Sequence, residues 1–239
     1  MPKFVRPGLC LDYDIRKSEK AKNARIDVGI GVLRVVIPKK SFLDPERFLD
    51  ENLDWVLSKK REYDSYIEKL PERVFEEGET IPFLGKYRKI KIIDGNSHKL
   101  RDNYILIAKR YIGEKSIKDK VRDILKREAK MEIKKRVRIF SKKIQKDYNK
   151  IFIRDQKTKW GSCSSKNNLS FNWKLCLGPE KVLNYVVAHE LTHLENMKHD
   201  KNFWKSLEEK FPDYRKGRQW LKEKSHELVF SKEDYLNRR

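Results

Sequence analysis

The chain has 239 residues, enough for one or two domains with real hydrophobic cores and too many to depend on disulfide staples. Its 57 Lys and Arg against 36 Asp and Glu leave a formal net charge of +21, which favours anionic partners such as nucleic acid or acidic lipid, or clothes a solvated surface. Eleven Phe, ten Tyr and five Trp exclude a disordered basic tail, and no apolar run approaches the roughly 18 residues of a membrane span. The opening Met1-Pro2-Lys3-Phe4-Val5-Arg6 lacks the apolar stretch of a secretory signal, so a cytoplasmic location is expected. Cys10, Cys163 and Cys176 fall in no CxxC pair, which fits reduced thiols and argues against a Cys-rich zinc site.

In chain order, Tyr13–Arg16, Arg25–Val28 and Val32–Ile37 alternate as strands, with Gly29 and Gly31 marking a hairpin between the last two. Asp44 before Pro45 reads as a helix N-cap with Pro at the first position, and Phe48, Leu49, Trp55 and Val56 carry one helix toward Tyr66. A second strand group covers Thr80–Leu84, Lys86–Ile93 and Asn103–Ala108, with turns at Gly85 and Asp94-Gly95-Asn96. Residues 1–110 therefore read as a β-rich module holding one long helix. From Ser116 to Asn149 there is neither Pro nor Gly, and Val121, Ile124, Leu125, Ala129, Ile133, Val137, Phe140 and Ile144 form an apolar stripe. The other faces of this long helix are crowded with Lys and Arg, either facing nucleic acid or simply solvated, and no base-reading motif accompanies them. Strands at Ile151–Arg154 and Leu169–Trp173 follow. A helix opens at Gly178-Pro179-Glu180 with Pro at its first position, another runs from about Asp200 to Phe211, and a last one from Asp213 to Ser225. Residues 111–239 thus read as a second domain of helices packed on a small sheet, in an α+β chain.

The chemistry concentrates in His189-Glu190-Leu191-Thr192-His193 and His199. Residues four apart on a helix share a face, so His189 and His193 can grip one ion, and Glu190 beside them can serve as general base for a water on that ion. A shuffled chain of this composition would contain only about 0.01 such motifs, so chance is a poor explanation. Zinc suits three neutral imidazoles plus water, one ion per chain. For the third ligand, Asn196 is expected to adopt the left-handed conformation, end the helix and turn His199 back, with Asp200 capping the next helix. Glu208 or Glu209 on that later helix is the alternative. His98 and His226 are isolated; His226 is a minor candidate for a transition-state donor.

A second segment, Lys157-Thr158-Lys159-Trp160-Gly161-Ser162-Cys163-Ser164, precedes the strand at Leu169–Trp173. An edge strand above a metal cleft can bind an extended peptide by strand addition, which makes Trp160, Gly161, Ser162 and Cys163 candidate substrate-binding residues. The alternative is a tight turn with Trp160 in the core. Cys163 has no evident His partner and reads as structural.

Together, Trp160–Ser164, His189–His193, His199 and Phe203-Trp204, with the opening Tyr13–Ser18 and the hairpin ending at Pro38, resemble the YgjP-like zinc metallopeptidase family over about residues 10 to 225. The resemblance implies a zincin-like core hydrolysing peptide bonds, with His189, His193 and His199 as zinc ligands and Glu190 as catalytic base. It also implies kinship with the SprT-like proteases, some of which act on proteins attached to DNA. Metzincins share the His spacing, but Asn196 stands at their glycine position and no Met-turn is evident. The expected function is a zinc endopeptidase acting on protein or peptide, with nucleic acid as a candidate partner. The rival is a nucleic-acid-binding protein whose zinc is structural and closed by a fourth protein ligand.

Overall fold

The computed structural model describes residues 2–29, 31–113, 115–156 and 158–236, which form two compact units, one running to Leu70 and the other spanning Pro71–Tyr235. In the first, β1 (Lys3–Arg6) and β2 (Leu9–Asp12) form a hairpin. Strands β3 (Asp14–Ser18), β4 (Arg25–Gly29) and β5 (Val32–Pro38) form a sheet of order β3-β5-β4. Phe4, Val35 and Ile37 of these strands, with Tyr13 between β2 and β3, share a core with Leu49 of α1 (Pro45–Glu51) and Val56 of α2 (Leu53–Glu68). The single helix expected from Asp44 toward Tyr66 is in fact two. Asn52 breaks it at φ −116°, ψ 16°, and its side-chain amide donates to the Phe48 carbonyl at 2.8 Å, competing with the helical ladder.

The second unit opens with β6 (Thr80–Phe83), β7 (Lys86–Ile93), β8 (Lys99–Leu100) and β9 (Tyr104–Ala108), in the order β6-β7-β9-β8. The β6–β7 turn places Leu84 at φ 52° and Gly85 at φ 77°, the left-handed pair a two-residue hairpin needs. Ile81, Phe83, Ile90, Ile105 and Ile107 from this sheet join one core with the buried stripe of α3 (Ile117–Ile144). That shared core explains why the compact units divide at Leu70/Pro71 and not near residue 110. Helix α3 starts at the Ser116 cap, whose hydroxyl accepts from the Asp119 amide. It stops at Ile144 because Gln145 turns left-handed at φ 53°, so the helix ends before the expected Asn149. Its expected stripe is buried except Phe140, which lies half-buried against Phe211 with ring centroids 4.9 Å apart.

Strands β10 (Ile151–Arg154), β11 (Gly161–Cys163) and β12 (Leu169–Asn172) form a three-stranded sheet with β12 in the centre, parallel to β10 and antiparallel to β11. Leu169–Asn172 is therefore the middle strand and the Gly161 segment the edge. Trp173, expected in the strand, begins a 3-10 turn to Leu177. Helix α4 (Glu180–Thr192) follows, with Pro179 at its N-cap and not inside its first turn. Then come α5 (Lys201–Lys210), α6 (Tyr214–Lys224), a 3-10 turn at Ser225–Leu228 and α7 (Lys232–Leu236). Helix α6 lies against α4 through Gly217, where a Cβ would sit 2.3 Å from the Lys181 carbonyl oxygen and 2.6 Å from the Tyr185 Cβ. No helix of the described residues is long and apolar enough to cross a membrane.

The loop between β10 and β11 is fixed by polar contacts. The Asn172 amide donates to the Gln156 carbonyl at 2.8 Å, and buried Lys174 reaches Asp155 at 2.6 Å, with Lys126 3.3 Å from the other Asp155 oxygen. Burial alone would push Asp155 up; the Lys174 hydrogen bond and charge, aided by Lys126, outweigh it and hold the carboxyl at about 2. The folded chain thus binds fewer protons here than the unfolded one, so this stabilisation is complete above the ordinary carboxylate range and fades as pH falls toward 2. Asp155→Asn is expected to lose about 2 kcal/mol at pH 7, the cost of leaving Lys174 uncompensated, discounted because Asp155 is partly exposed. Urea unfolding checks it: the gap between variant and parent should narrow from pH 4 to pH 2, and a gap constant with pH would refute the linkage.

Candidate metal centre

Helix α4 buries Val182, Leu183, Val186, Val187 and Leu191, and the face left over carries His189 and His193 one turn apart. The helix ends at Thr192, and His193 is its C-cap at φ −63°. The expected left-handed Asn196 is not found; the chain leaves the helix through a turn in which the Asn196 amide donates to the Thr192 carbonyl at 3.1 Å. Asn196 instead presents its own carbonyl 3.0 Å from His193 Nδ1. A carbonyl only accepts, so Nδ1 carries the proton and Nε2 keeps its lone pair.

His199 comes just before the Asp200 cap, whose carboxylate accepts from the Phe203 amide at 3.1 Å. Its Nε2 lies 2.9 Å from His189 Nε2, and one ligand atom from each of His189, His193 and His199 lies within 4.8 Å of the others. The buried Phe203 ring touches all three imidazoles, with centroids 4.9, 4.6 and 4.8 Å away, and forms their floor. Glu208 and Glu209 are outside this cluster; Glu208 is bound to Arg215 at 2.7 Å. Burial first, then the neighbouring imidazoles and Arg218, push His189 down to about 3, and burial also lowers His193. Neutral imidazoles with converging lone pairs are the donor set that a borderline-soft cation such as zinc takes.

Glu190 is 5% exposed, and burial pushes it up to about 8 against the pull of Lys159. It packs directly under β11. A Cβ added at Gly161 would lie 2.6 Å from Glu190 Oε1 and 2.7 Å from its Cγ, so no other residue leaves room for this carboxylate. The opposite side of Gly161–Cys163 pairs with no strand among the described residues, because β12 occupies only one of its edges. Ser162 sits opposite Ser170 in that pairing, and Trp160 is half-buried against the core, anchored by its carbonyl to the Asn172 amide at 2.8 Å. Burial and the Glu190 charge raise the Cys163 thiol to about 11, which makes it a poor nucleophile. Lys157, the first residue of this segment, lies outside the described residues. His98 accepts from the Ala108 amide at 3.2 Å, and His226 lies in the turn after α6; neither ring meets the three-His cluster.

Sequence reasoning missed the aromatic wall beside the cluster. Tyr185 is 5.7 Å from His189 between ring centroids, Trp204 stacks 5.9 Å from His199, and Tyr214 links the two at 6.1 Å from Trp204 and 6.3 Å from Tyr185. The signal for Tyr185 was present: it lies one helical turn before His189 on the same face.

A family model described as YgjP-like, metallopeptidase domain, matches residues 22–224. Among solved structures, the chain is similar to the crystal structure of the metallopeptidase zymogen of Pyrococcus abyssi abylysin. The two are 20% identical, and the match covers 38% of this chain and 94% of that one at a TM-score of 0.34. No curated protein matches.

The contact between β11 and Glu190 is open to a direct test. Gly161→Ala forces a methyl into the Glu190 side chain and is expected to destabilise the chain by about 2 kcal/mol, as overpacking does. Ser162→Ala in the same strand is expected to stay within about 0.5 kcal/mol. Equal melting temperatures for the two variants would show that the strand simply moves away.

Proposed function

The chain belongs to the YgjP-like metallopeptidase family, and we propose that it is a zinc-dependent endopeptidase holding one zinc through His189, His193 and His199. A metallopeptidase acts on protein or peptide. The observation that carries the finer reading is the convergence of three imidazoles beside a buried carboxylate pressed under an edge strand. In this reading, α3 to α6 and the β10–β12 sheet form a zincin-like core to which the β6–β9 sheet adds through its packing on α3, and the first unit is an accessory module.

Zinc bound there supplies Lewis acidity for the water and the scissile carbonyl. The chain's own groups do the rest. Glu190 accepts the proton of the attacking water as its oxygen bonds to the carbonyl carbon, and returns that proton to the amine as the carbon–nitrogen bond breaks. A carboxyl raised toward neutrality by burial suits this two-way transfer. The unpaired edge of Gly161–Cys163 lines up an extended substrate through main-chain hydrogen bonds, with Trp160, Gly161, Ser162 and Cys163 as its contact residues. Glu190→Gln is expected to lower kcat by about 10²–10⁴-fold with zinc content unchanged. His199→Ala should lose zinc on dialysis, whereas Glu208→Gln and Glu209→Gln should keep it. Full activity in the first variant would refute the base, and retained zinc in the second would refute the ligand set.

A second reading concerns recruitment. Lys130, Lys134, Lys135, Arg138 and Lys142 stand exposed on α3 with no carboxylate partner among the described residues. Such a face supports nucleic-acid binding alongside peptidase activity. Five phosphate contacts predict that affinity for single-stranded DNA falls with a log–log salt slope of about −3.5. A flat salt response would refute it.

A further inference from the structure

Peptide hydrolysis at the metal centre needs a group to hold the negative charge that develops on the carbonyl oxygen, and the three imidazoles and Glu190 do not supply that donor. Two side chains stand beside the cluster, Tyr185 and Arg218. Arg218 sits on α6 next to Gly217, the point where α6 presses on Tyr185 and Lys181 of α4. Its guanidinium carbon lies 4.4 Å over the Trp204 ring, which in turn stacks on His199 at 5.9 Å and lies 6.1 Å from His189. Arg218 has no carboxylate partner among the described residues, although it is an exposed arginine in a chain with many ion pairs.

Tyr185 approaches from the helix itself. Its ring meets His189 edge-on at 5.7 Å, and its hydroxyl has no hydrogen-bond partner among the described residues. The Arg218 charge is felt at both His189 and Tyr185, which places the guanidinium on the same side of the cluster as the phenol. A phenol is a neutral donor at pH 7 and a guanidinium a permanent cation, and neither competes with imidazole for a metal. Both are mounted on helices locked together at Gly217, so they are preorganised and not recruited from a loop.

We infer that Tyr185 and Arg218 are the donor pair that receives the oxyanion of the scissile carbonyl, with Trp204 as the platform that holds the guanidinium in place. The inference rests on the peptidase reading above. Substrate enters between the Gly161–Cys163 edge and this pair, and the carbonyl oxygen gains hydrogen bonds only as it becomes charged.

The test compares the zinc-loaded chain with Tyr185→Phe, Arg218→Ala and Arg218→Lys. Tyr185→Phe and Arg218→Ala are each expected to lower kcat on the order of 10²-fold with KM nearly unchanged, and Arg218→Lys to recover part of the loss. Zinc content and melting temperature should match the parent. Affinity for a phosphinic peptide, a tetrahedral mimic, should fall by a similar factor in calorimetry, while binding of the matching amide peptide to Glu190→Gln stays the same with or without Tyr185→Phe. Unchanged kcat, a loss confined to KM, or loss of zinc would overturn the donor assignment. A parent chain that hydrolyses nothing would overturn the peptidase reading instead; phosphinic-peptide affinity still decides the pair, and affinity equal in parent and variants overturns it.

Discussion

Helix α4 must hold His189, His193 and the Glu190 carboxylate among otherwise apolar buried residues, and its neighbours in the second unit are packed to fit them. Its sides are closed by elements that can come near only through glycine. Gly161 brings an edge strand onto Glu190, and Gly217 brings α6 onto Tyr185 and the Lys181 carbonyl. Any side chain at either position would push a neighbour away by more than van der Waals contact permits. Close packing here therefore sets the position of chemistry as well as stability.

Burial shapes the electrostatics in the same direction. Glu190 is raised and His189 is lowered for one reason: each charged form would lose its water with no full partner in exchange. A structural ion pair would instead have satisfied these groups, as Lys174 and Asp155 satisfy each other a few residues away. The contrast separates the two kinds of buried charge in this unit. Lys174–Asp155 fixes the loop that delivers β11, whereas Glu190 has no ion-pair partner among the described residues.

Two polar contacts around the cluster are made by backbone carbonyls: Asn196 offers its carbonyl to His193, and the Trp160 carbonyl accepts from the Asn172 backbone amide. Main-chain groups cannot swing away as side chains do, so these contacts hold ring and strand orientation with little loss of entropy. The aromatic floor and wall of Phe203, Trp204, Tyr185 and Tyr214 complete the setting and exclude bulk water from one side.

Much of this was legible in the sequence, because it depends on local spacing. The i, i+4 imidazoles, the Asp44 and Asp200 caps and the α3 stripe follow from local sequence patterns, and the structure reproduces them within a few residues. The Trp160–Ser164 and His189–His193 segments carry a resemblance to the family whose model matches residues 22–224. What the sequence could not settle was decided by which groups the folded chain brings into contact, some of them local and some distant. Asn52 breaks a helix that propensity would have continued, since its amide finds the Phe48 carbonyl. Asn196 accomplishes the turn without a left-handed residue, because its carbonyl has an imidazole to receive. The strands from β6 to β9 belong with α3, since their apolar faces share its core. The sequence marks Gly161 as a place of close backbone approach, but only tertiary packing shows that it is Glu190 that comes within 3 Å of a Cβ there, and the Lys181 carbonyl and Tyr185 that do so at Gly217. Spacing along a chain fixes which side chains share a face; which other face comes to meet it depends on the whole core.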